Sequence, residues 1–320
     1  MRKHSGNLKK LRYLAALAII LIFLPAVLPR YYVYLMTVIF VTSLLAMSLN
    51  MVVGHGGLFQ FHHGVFYGVG AYAFALMLKK AGLPMWFCFT ASPLIAAAFG
   101  LFIGWFCIRL TNLYFGMLQI SLGSLIWAIV FRWYDFTNGD DGIHSVPIPD
   151  MISTTSEIYY FVLFFFALCL LLMYVIYRSP FGMTLQAIRD NPERCAAVGI
   201  NVRRHQLIAI VIATYFAGVA GVLFVVLERS VFPDLLFWVL SLEVFIMCLL
   251  GGWFTFGGPI VGAAITVCLR NFVGIYTEYW TLILGVILIL LIFFLPQGVM
   301  GYVLEKMHPK SADDFERGAE

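Results

Sequence analysis

Charged side chains are scarce in this sequence. Asp, Glu, Lys and Arg make up 11% of its 320 residues, whereas hydrophobic residues make up 62%. A soluble domain is about a quarter charged and roughly half apolar. This composition excludes an ordinary soluble domain and leaves too little polar surface for binding nucleic acid. The net charge of +4 arises from a basic N-terminus and basic loops, which suit a membrane surface.

Cysteine pairs and nucleotide-binding loops are also missing. Five of the six cysteines lie inside apolar runs, and the sequence has no Cys-x-x-Cys pair. We therefore expect these cysteines to behave as small apolar side chains rather than as disulfides or metal ligands. No segment matches G-x-x-x-x-G-K-[ST], so the chain has no P-loop for ATP. We expect no cofactor in this chain.

Long apolar runs are distributed from one end of the sequence to the other. Each is about 20 residues long, enough for a helix that crosses the hydrocarbon core and satisfies its own backbone there. They predict an all-α, polytopic membrane protein with about ten transmembrane helices, or eight if the glycine-rich third and ninth runs are broken or re-entrant. The runs cover residues 12–29, 31–53, 57–78, 84–108, 112–131, 158–177, 207–227, 235–252, 259–277 and 280–296.

The distribution of Lys and Arg predicts the orientation. With ten spans both termini lie on one side, and 14 of these residues fall there, against five on the far side. We therefore predict cytoplasmic termini, although Lys79 and Lys80 fall on the far side against this bias. The predicted organisation is a cytoplasmic segment 1–11, one transmembrane domain 12–300 with a cytoplasmic loop 178–206 and a far-side loop 132–157, and a cytoplasmic tail 301–320.

The stretch SPFGMTLQAIRDNPERCAAVGINV, residues 179–202, is polar and lies between two apolar runs. Ser179 predicts a helix N-cap, and the proline after it fits the first helical position. Asn191 and Pro192 end that helix and start a second short one, which Gly199 ends as a left-handed C-cap. The pattern alone leaves two interpretations open: an interfacial linker on lipid headgroups, or a docking element for another protein.

This stretch resembles the cytoplasmic loop of LivM-type permeases, the branched-chain amino-acid subunits of ABC importers. It carries S-x-F-G-x-x-L-x-A-I-R-x-N, then A-A-x-G-I-N-V, then A-G-x-A-G. The resemblance runs in order from about residue 44 to residue 298 and includes LNMVVGHGGLFQFHHGVFYGVGAY, NGDDGI and SLEVFIMCLLGGWFTFGGPIVGAA. The family's usual Ser-Leu-Gly-His becomes Gln60-Phe61-His62-His63 here. This departure puts the identity of the substrate in doubt more than the fold.

The resemblance implies that the stretch seats in a cleft of a cytoplasmic ATPase, so that closure of the ATPases moves the membrane helices. Loop 178–206 is then the coupling loop, and loop 132–157 is periplasmic. Implied partners are a second homologous permease, two ATPase subunits that bind and hydrolyse ATP, a periplasmic or lipid-anchored binding protein and the lipid of the bacterial inner membrane. The residues implied in ATPase coupling are Arg189, Asn191, Glu193, Ala196, Ala197 and Gly199.

Strongly polar residues inside apolar runs are candidates for a substrate path, because a charge at a helix centre costs about 2.5–3.5 kcal/mol. For Glu243 three roles stay open: pairing with Arg270, capping a broken helix, or lining the path. The alternative role for Asn50 is an interhelical hydrogen bond. The alternative role for either histidine is packing inside the bundle. The path candidates are Asn50, Gln60, His62, His63 and Glu243.

The predicted function is a transport subunit for branched-chain or other hydrophobic amino acids, not an enzyme. Members of the family that carry urea, amides or aromatic acids keep those substrates open. A second class of function is a stand-alone transporter driven by an ion gradient, with Glu243 and the histidines as proton sites. A membrane enzyme ranks below both, because the sequence shows no nucleophile–base pair and no metal-ligand cluster.

Overall fold

The structure is a computed structural model that describes residues 19–307, apart from 111, 150, 151, 153, 277, 278 and 296. The described residues form helices and connecting turns, with one isolated antiparallel bridge between Ile143 and Val231. The prediction of an all-α polytopic membrane protein is confirmed. The predicted cytoplasmic segment 1–11 and residues 308–320 of the predicted tail lie outside the described residues.

The helices follow the apolar runs. In chain order they are α1 (19–27), α2 (Arg30–Val53), α3 (Gly64–Lys79), α4 (Met85–Cys107), α5 (Asn112–Arg132), α6 (Tyr134–Thr137), α7 (Thr155–Arg178), α8 (Pro180–Asp190), α9 (Pro192–Ala197), α10 (Val202–Glu228), α11 (Trp238–Gly251), α12 (Gly258–Val273), α13 (Trp280–Phe294) and α14 (Gly298–Met307). Within the described part of the chain, α2, α4, α5, α7 and α10 are long and apolar enough to cross a membrane alone, whereas α3, α11, α12 and α13 are shorter. The count of ten spans stays a prediction.

The centre of the bundle is formed by α2 and α10. Both are largely buried, whereas α5 and α7 turn most of their apolar side chains outward, as helices that contact lipid do. Helix α10 lies against α2, α3 and α4. A Cβ on Gly70 of α3 would lie 2.6 Å from the Cα of Gly218 in α10, so glycine permits this close approach.

The third apolar run is interrupted. Helix α3 begins only at Gly64, and residues 54–63 form turns and irregular backbone, here called the first break. Gly57 within it has a φ of 67°, which no helix accommodates. The predicted span 57–78 therefore started too early, although its glycine content had indicated a broken helix.

A second interruption precedes α12. Residues 252–257, here called the second break, separate α11 from α12, and Gly252 has a φ of 105°. The predicted runs 235–252 and 259–277 are thus shorter helices than expected. A 3-10 turn at Pro233–Leu236 replaces the start of the first of these runs.

The far-side loop covers the ends of α3 and α10. Lys79 Nζ donates to the His144 carbonyl (2.5 Å), and Lys80 Nζ donates to the Asp135 carbonyl (2.7 Å). The bridge between Ile143 and Val231 ties the same loop to the end of α10, with both N···O distances at 2.9 Å. The two lysines that opposed the charge bias thus bind carbonyls of the loop 132–157, which is predicted to lie on the same side as they do.

Candidate functional site

The polar loop folds as two short capped helices. Ser179 Oγ accepts a hydrogen bond from the Gly182 backbone N–H (3.3 Å) and caps α8. Asn191 Oδ1 accepts one from the Arg194 backbone N–H (2.9 Å) and caps α9. Gly199 has a φ of 88°, as predicted for a left-handed C-cap. The predicted boundaries are confirmed, and α8, α9 and the turn into α10 are called the elbow below.

The elbow has an inner and an outer face. Leu185 and Ile188 of α8 are buried against the bundle. Ala197 and Gly199 are exposed, and Val198 between them is 77% exposed. Val198 is not among the residues predicted from the sequence, although its place between two predicted coupling residues was a usable signal. The outer face is therefore open to another protein while the inner face holds the elbow in place.

Arg189 joins the elbow to both breaks. Its Nη1 donates to the Gly54 carbonyl in the first break (2.8 Å), and its guanidinium lies 5.1 Å from the ring centroid of Phe254 in the second. Its Nε and Nη2 donate to Asp190 Oδ1 at 3.0 and 2.8 Å. The ATPase-coupling role of Arg189 stays a prediction; in the structure its side chain links the elbow to the irregular segments of the bundle.

His55 lies at this junction, between α2 and α3 and outside the spans. Its ring contacts that of Tyr177 at the end of α7, with centroids 4.5 Å apart. Burial, with a smaller contribution from the charge of Arg189, lowers the pKa of His55 from 6.5 to about 4. The imidazole is therefore neutral at pH 7, so it does not repel the positive charge of Arg189.

The two breaks also contact each other. Asn50 Nδ2 donates to the Thr255 carbonyl in the second break (3.3 Å). A Cβ on Gly54 in the first break would collide with the Trp253 carbonyl oxygen. Asn50 thus links the end of α2 to the second break, which is the interhelical role weighed for it, while its Oδ1 has no hydrogen-bond partner among the described residues.

His62 and His63, at the end of the first break, are fully buried. His62 Nε2 is 2.9 Å from the Leu236 carbonyl oxygen, and its Nδ1 is 3.3 Å from that of Ile120 in α5. A neutral imidazole has one N–H, which donates to only one of these oxygens. His63 Nε2 lies 2.8 Å from Ser48 Oγ in α2. Both side chains are thus held by polar partners, which fits packing as well as a path.

Gln60 differs from the histidines. Its side chain is fully buried, and within the described part of the chain neither its amide nitrogen nor its carbonyl oxygen has a hydrogen-bond partner. Leaving such a group unpaired costs about 1–3 kcal/mol. The neighbouring Phe61 packs on Phe245 of α11, with centroids 5.6 Å apart. Gln60 is therefore the path candidate whose polar atoms are available to a ligand or a water molecule.

Glu243 lies apart from this group. Its Oε2 is 3.7 Å from Arg270 Nη1, so the predicted pair forms between α11 and α12. No hydrogen bond joins it to the first break among the described residues. A second polar contact was missed: Tyr34 Oη donates to Glu228 Oε1 at 2.5 Å, between α2 and α10. Its only sequence signal was an acidic residue at the end of an apolar run.

Comparison with known proteins identifies the family of this chain. The family described as branched-chain amino acid transport system / permease component matches residues 31–292. The chain belongs to this family. The high-affinity branched-chain amino acid transport system permease protein LivM of Escherichia coli (strain K12) is 28% identical over 323 residues, which cover 92% of this chain and 76% of LivM.

Two further relatives match less of the chain. The LivH permease protein of Salmonella typhimurium is 26% identical over 284 residues, covering 81% of this chain and 91% of LivH. The guanosine ABC transporter permease protein NupQ of Bacillus subtilis is 26% identical over only 80 residues, a quarter of each chain. As a branched-chain amino acid permease by family, the chain is a multi-pass transport component of the membrane.

Proposed function

We propose that this chain is the membrane-spanning permease subunit of an ATP-driven importer that carries branched-chain amino acids across the bacterial inner membrane. The observation that carries the proposal is the elbow, a capped two-helix unit outside the spans with a held inner face and an exposed outer face. Family membership over residues 31–292 supports the transport role. Because the chain has no P-loop, ATP is bound and hydrolysed by separate ATPase subunits.

The partners follow from the relatives and from the far-side surface. The proteins named LivM and LivH are both permeases of a branched-chain amino acid transport system, which supports pairing with a second, homologous permease. On the far side, the loop 132–157 is too short to form a domain. Capture of dilute substrate therefore falls to a separate periplasmic or lipid-anchored binding protein.

Coupling runs from the elbow to the first break. ATPase closure would act on the exposed residues 197–199 and displace the elbow. Since Arg189 bonds the Gly54 carbonyl, this displacement is transmitted to residues 54–63. That segment carries Gln60 and His62 into the interior of the bundle. A small movement of the elbow thereby changes the position of the polar groups proposed to line the path.

An aliphatic substrate needs few charges along its path. Gln60 supplies one buried amide whose donor and acceptor have no partner among the described residues, enough to meet the carboxylate and ammonium groups of a passing amino acid. Glu243 already faces Arg270, so we assign it a structural role. Family membership favours ATP as the energy source over an ion gradient.

The test is co-purification and reconstitution. The chain is expressed with its permease partner, ATPases and binding protein, and leucine, isoleucine and valine are tested for uptake and for stimulation of ATP hydrolysis. Urea, acetamide, phenylalanine and guanosine serve as competitors, and an ATPase with its P-loop lysine replaced is the control. We expect uptake of the three amino acids that the control abolishes. Uptake that persists in the control under a proton gradient would instead establish the ion-coupled alternative.

A further inference from the structure

A cavity of about 400 Å³ lies beneath the inner face of the elbow. Its walls come from α9, the start of α10, the first break and the turn that joins α4 to α5. Small-molecule sites in proteins are roughly 300–1,000 Å³ in volume. Of the residues implied in ATPase coupling, Arg189, Glu193 and Ala196 line the cavity, whereas Ala197 and Gly199 of the outer face do not. Neither the ATPase contact proposed for residues 197–199 nor the path candidates Gln60 and His62 account for it, since none of these residues is in its lining.

The polar wall of this cavity carries both signs of charge. Arg109 contributes from the α4–α5 turn, Arg203 from α10 and Glu193 from α9. The ion pairs found within the described residues involve none of these three side chains. Arg109 is held in place by the ring of Trp105, with the guanidinium carbon 4.2 Å from the centroid. Arg189 also lines the cavity, but Asp190 already neutralises it.

The lining also has an apolar part, formed by Phe59, Leu110 and Phe115. An α-amino acid with an aliphatic side chain fits this division: its carboxylate meets an arginine, its ammonium meets Glu193, and its side chain meets the apolar part. A phosphate or an anionic lipid headgroup would satisfy the arginines but would place a negative charge against Glu193. The mixed charge therefore favours a zwitterion over an anion.

We propose that this cavity is a cytoplasm-facing binding site for an aliphatic α-amino acid, and that its occupancy slows ATP-driven transport. The identity of the ligand rests on the proposed function, since it is taken from the transported class. A ligand held between Arg109 and Glu193 joins the α4–α5 turn to the elbow. Such a ligand stabilises the present position of the elbow relative to the α4–α5 turn and therefore opposes movement of the elbow. Imported substrate would thus limit its own import.

Direct binding tests the chemistry of the site. Radiolabelled L-leucine is equilibrated with the purified permease–ATPase complex without binding protein, against unlabelled 4-methylpentanoate, 3-methylbutylamine and inorganic phosphate. The first competitor lacks the ammonium group and the second lacks the carboxylate. Each loses a charge-assisted hydrogen bond, so we expect each to bind about tenfold or more weakly than leucine. Phosphate that displaces leucine at lower concentration would overturn the proposal in favour of an anion site.

Matched variants connect the binding to the cavity. Arg203→Gln should weaken leucine binding about tenfold, whereas Arg204→Gln removes the same charge from the next residue, which lies outside the lining, and should not. Glu193→Gln should bind 4-methylpentanoate more tightly than the parent does, a gain that misfolding cannot produce. Equal leucine affinity in the Arg203 and Arg204 variants would overturn the site.

Regulation is tested in proteoliposomes whose ATPases face the medium, with binding protein and leucine sealed inside. Leucine added to the medium should reduce ATP hydrolysis severalfold in the parent and in Arg204→Gln, and much less in Arg203→Gln. No reduction in the parent would refute the regulatory role. Leucine uptake without cavity binding would overturn only the site, whereas cavity binding without uptake of any branched-chain amino acid would overturn only the proposed function.

Discussion

Valine in place of Gly199 should separate docking of the elbow from folding of the bundle. Gly199 has a φ of 88°, and a Cβ added there would meet nothing within 4 Å, so the cost of a side chain is backbone strain alone. Such strain costs about 1–2 kcal/mol, equivalent to a factor of roughly 5–30 in a two-state equilibrium. Because only the end of α9 loosens, the docking-competent population and the apparent ATPase affinity should fall by that factor.

Gly82 offers a matched control. It lies in the turn between α3 and α4 on the far side, has a φ of 63°, and also has open space where a Cβ would be. Gly82→Val therefore introduces comparable strain without touching the elbow. Gly199→Asn is a second control, because asparagine tolerates the left-handed region and should retain most of the affinity.

The assay measures the affinity of the purified permease pair for its ATPases, together with thermal stability. We expect a loss of roughly 5–30-fold for Gly199→Val and none for Gly82→Val, with similar thermal stability in both. Ala197→Trp, which adds bulk to the exposed face, should insert normally but abolish both ATPase retention and uptake. Equal ATPase affinity for the two valine variants would refute the docking role and leave the elbow as an interfacial linker.

Further predictions concern the partners and the junction. Proteoliposomes that lack the binding protein should take up no leucine at micromolar concentration, and robust uptake would contradict this. Arg189→Ala should lower the leucine transported per ATP hydrolysed, because the hydrogen bond to the first break is lost; an unchanged ratio would count against the coupling route. His62→Gly should alter the range of competing substrates while assembly stays intact, and unchanged kinetics for every substrate would assign His62 to packing. Since the pKa of His55 is lowered from 6.5 to about 4, its neutral ring stabilises the fold fully above pH 6.5, and this stability is lost as the pH falls through 4. His55→Gln should therefore flatten the dependence of thermal unfolding on pH in this window.

The elbow was predictable because its signals act over short distances along the chain. Asn191, for example, caps the backbone N–H only three residues ahead. By contrast, Arg189 and Gly54 are 135 residues apart, and no local pattern indicates that they bond. The pair of Glu243 and Arg270 was one of three roles considered, since a sequence shows that two charges lie in spans but not that they face each other. Glycine content indicated the first break, but only the backbone places its end at residue 63.

The lysine anchors on the far side bear on how the chain enters a membrane. With the orientation set by the charge bias, Lys79 and Lys80 must be carried outward against a potential that is negative inside. Moving one positive charge this way costs about 2.3 kcal/mol per 100 mV, so the pair costs about 5 kcal/mol at a potential of 100 mV. The carbonyls of His144 and Asp135 can receive them only after the following two helices have been synthesised. Translocation of these two lysines is therefore an unfavourable contribution to insertion of the α3–α4 hairpin in an energised cell, and the contacts with the later loop offset it only afterwards.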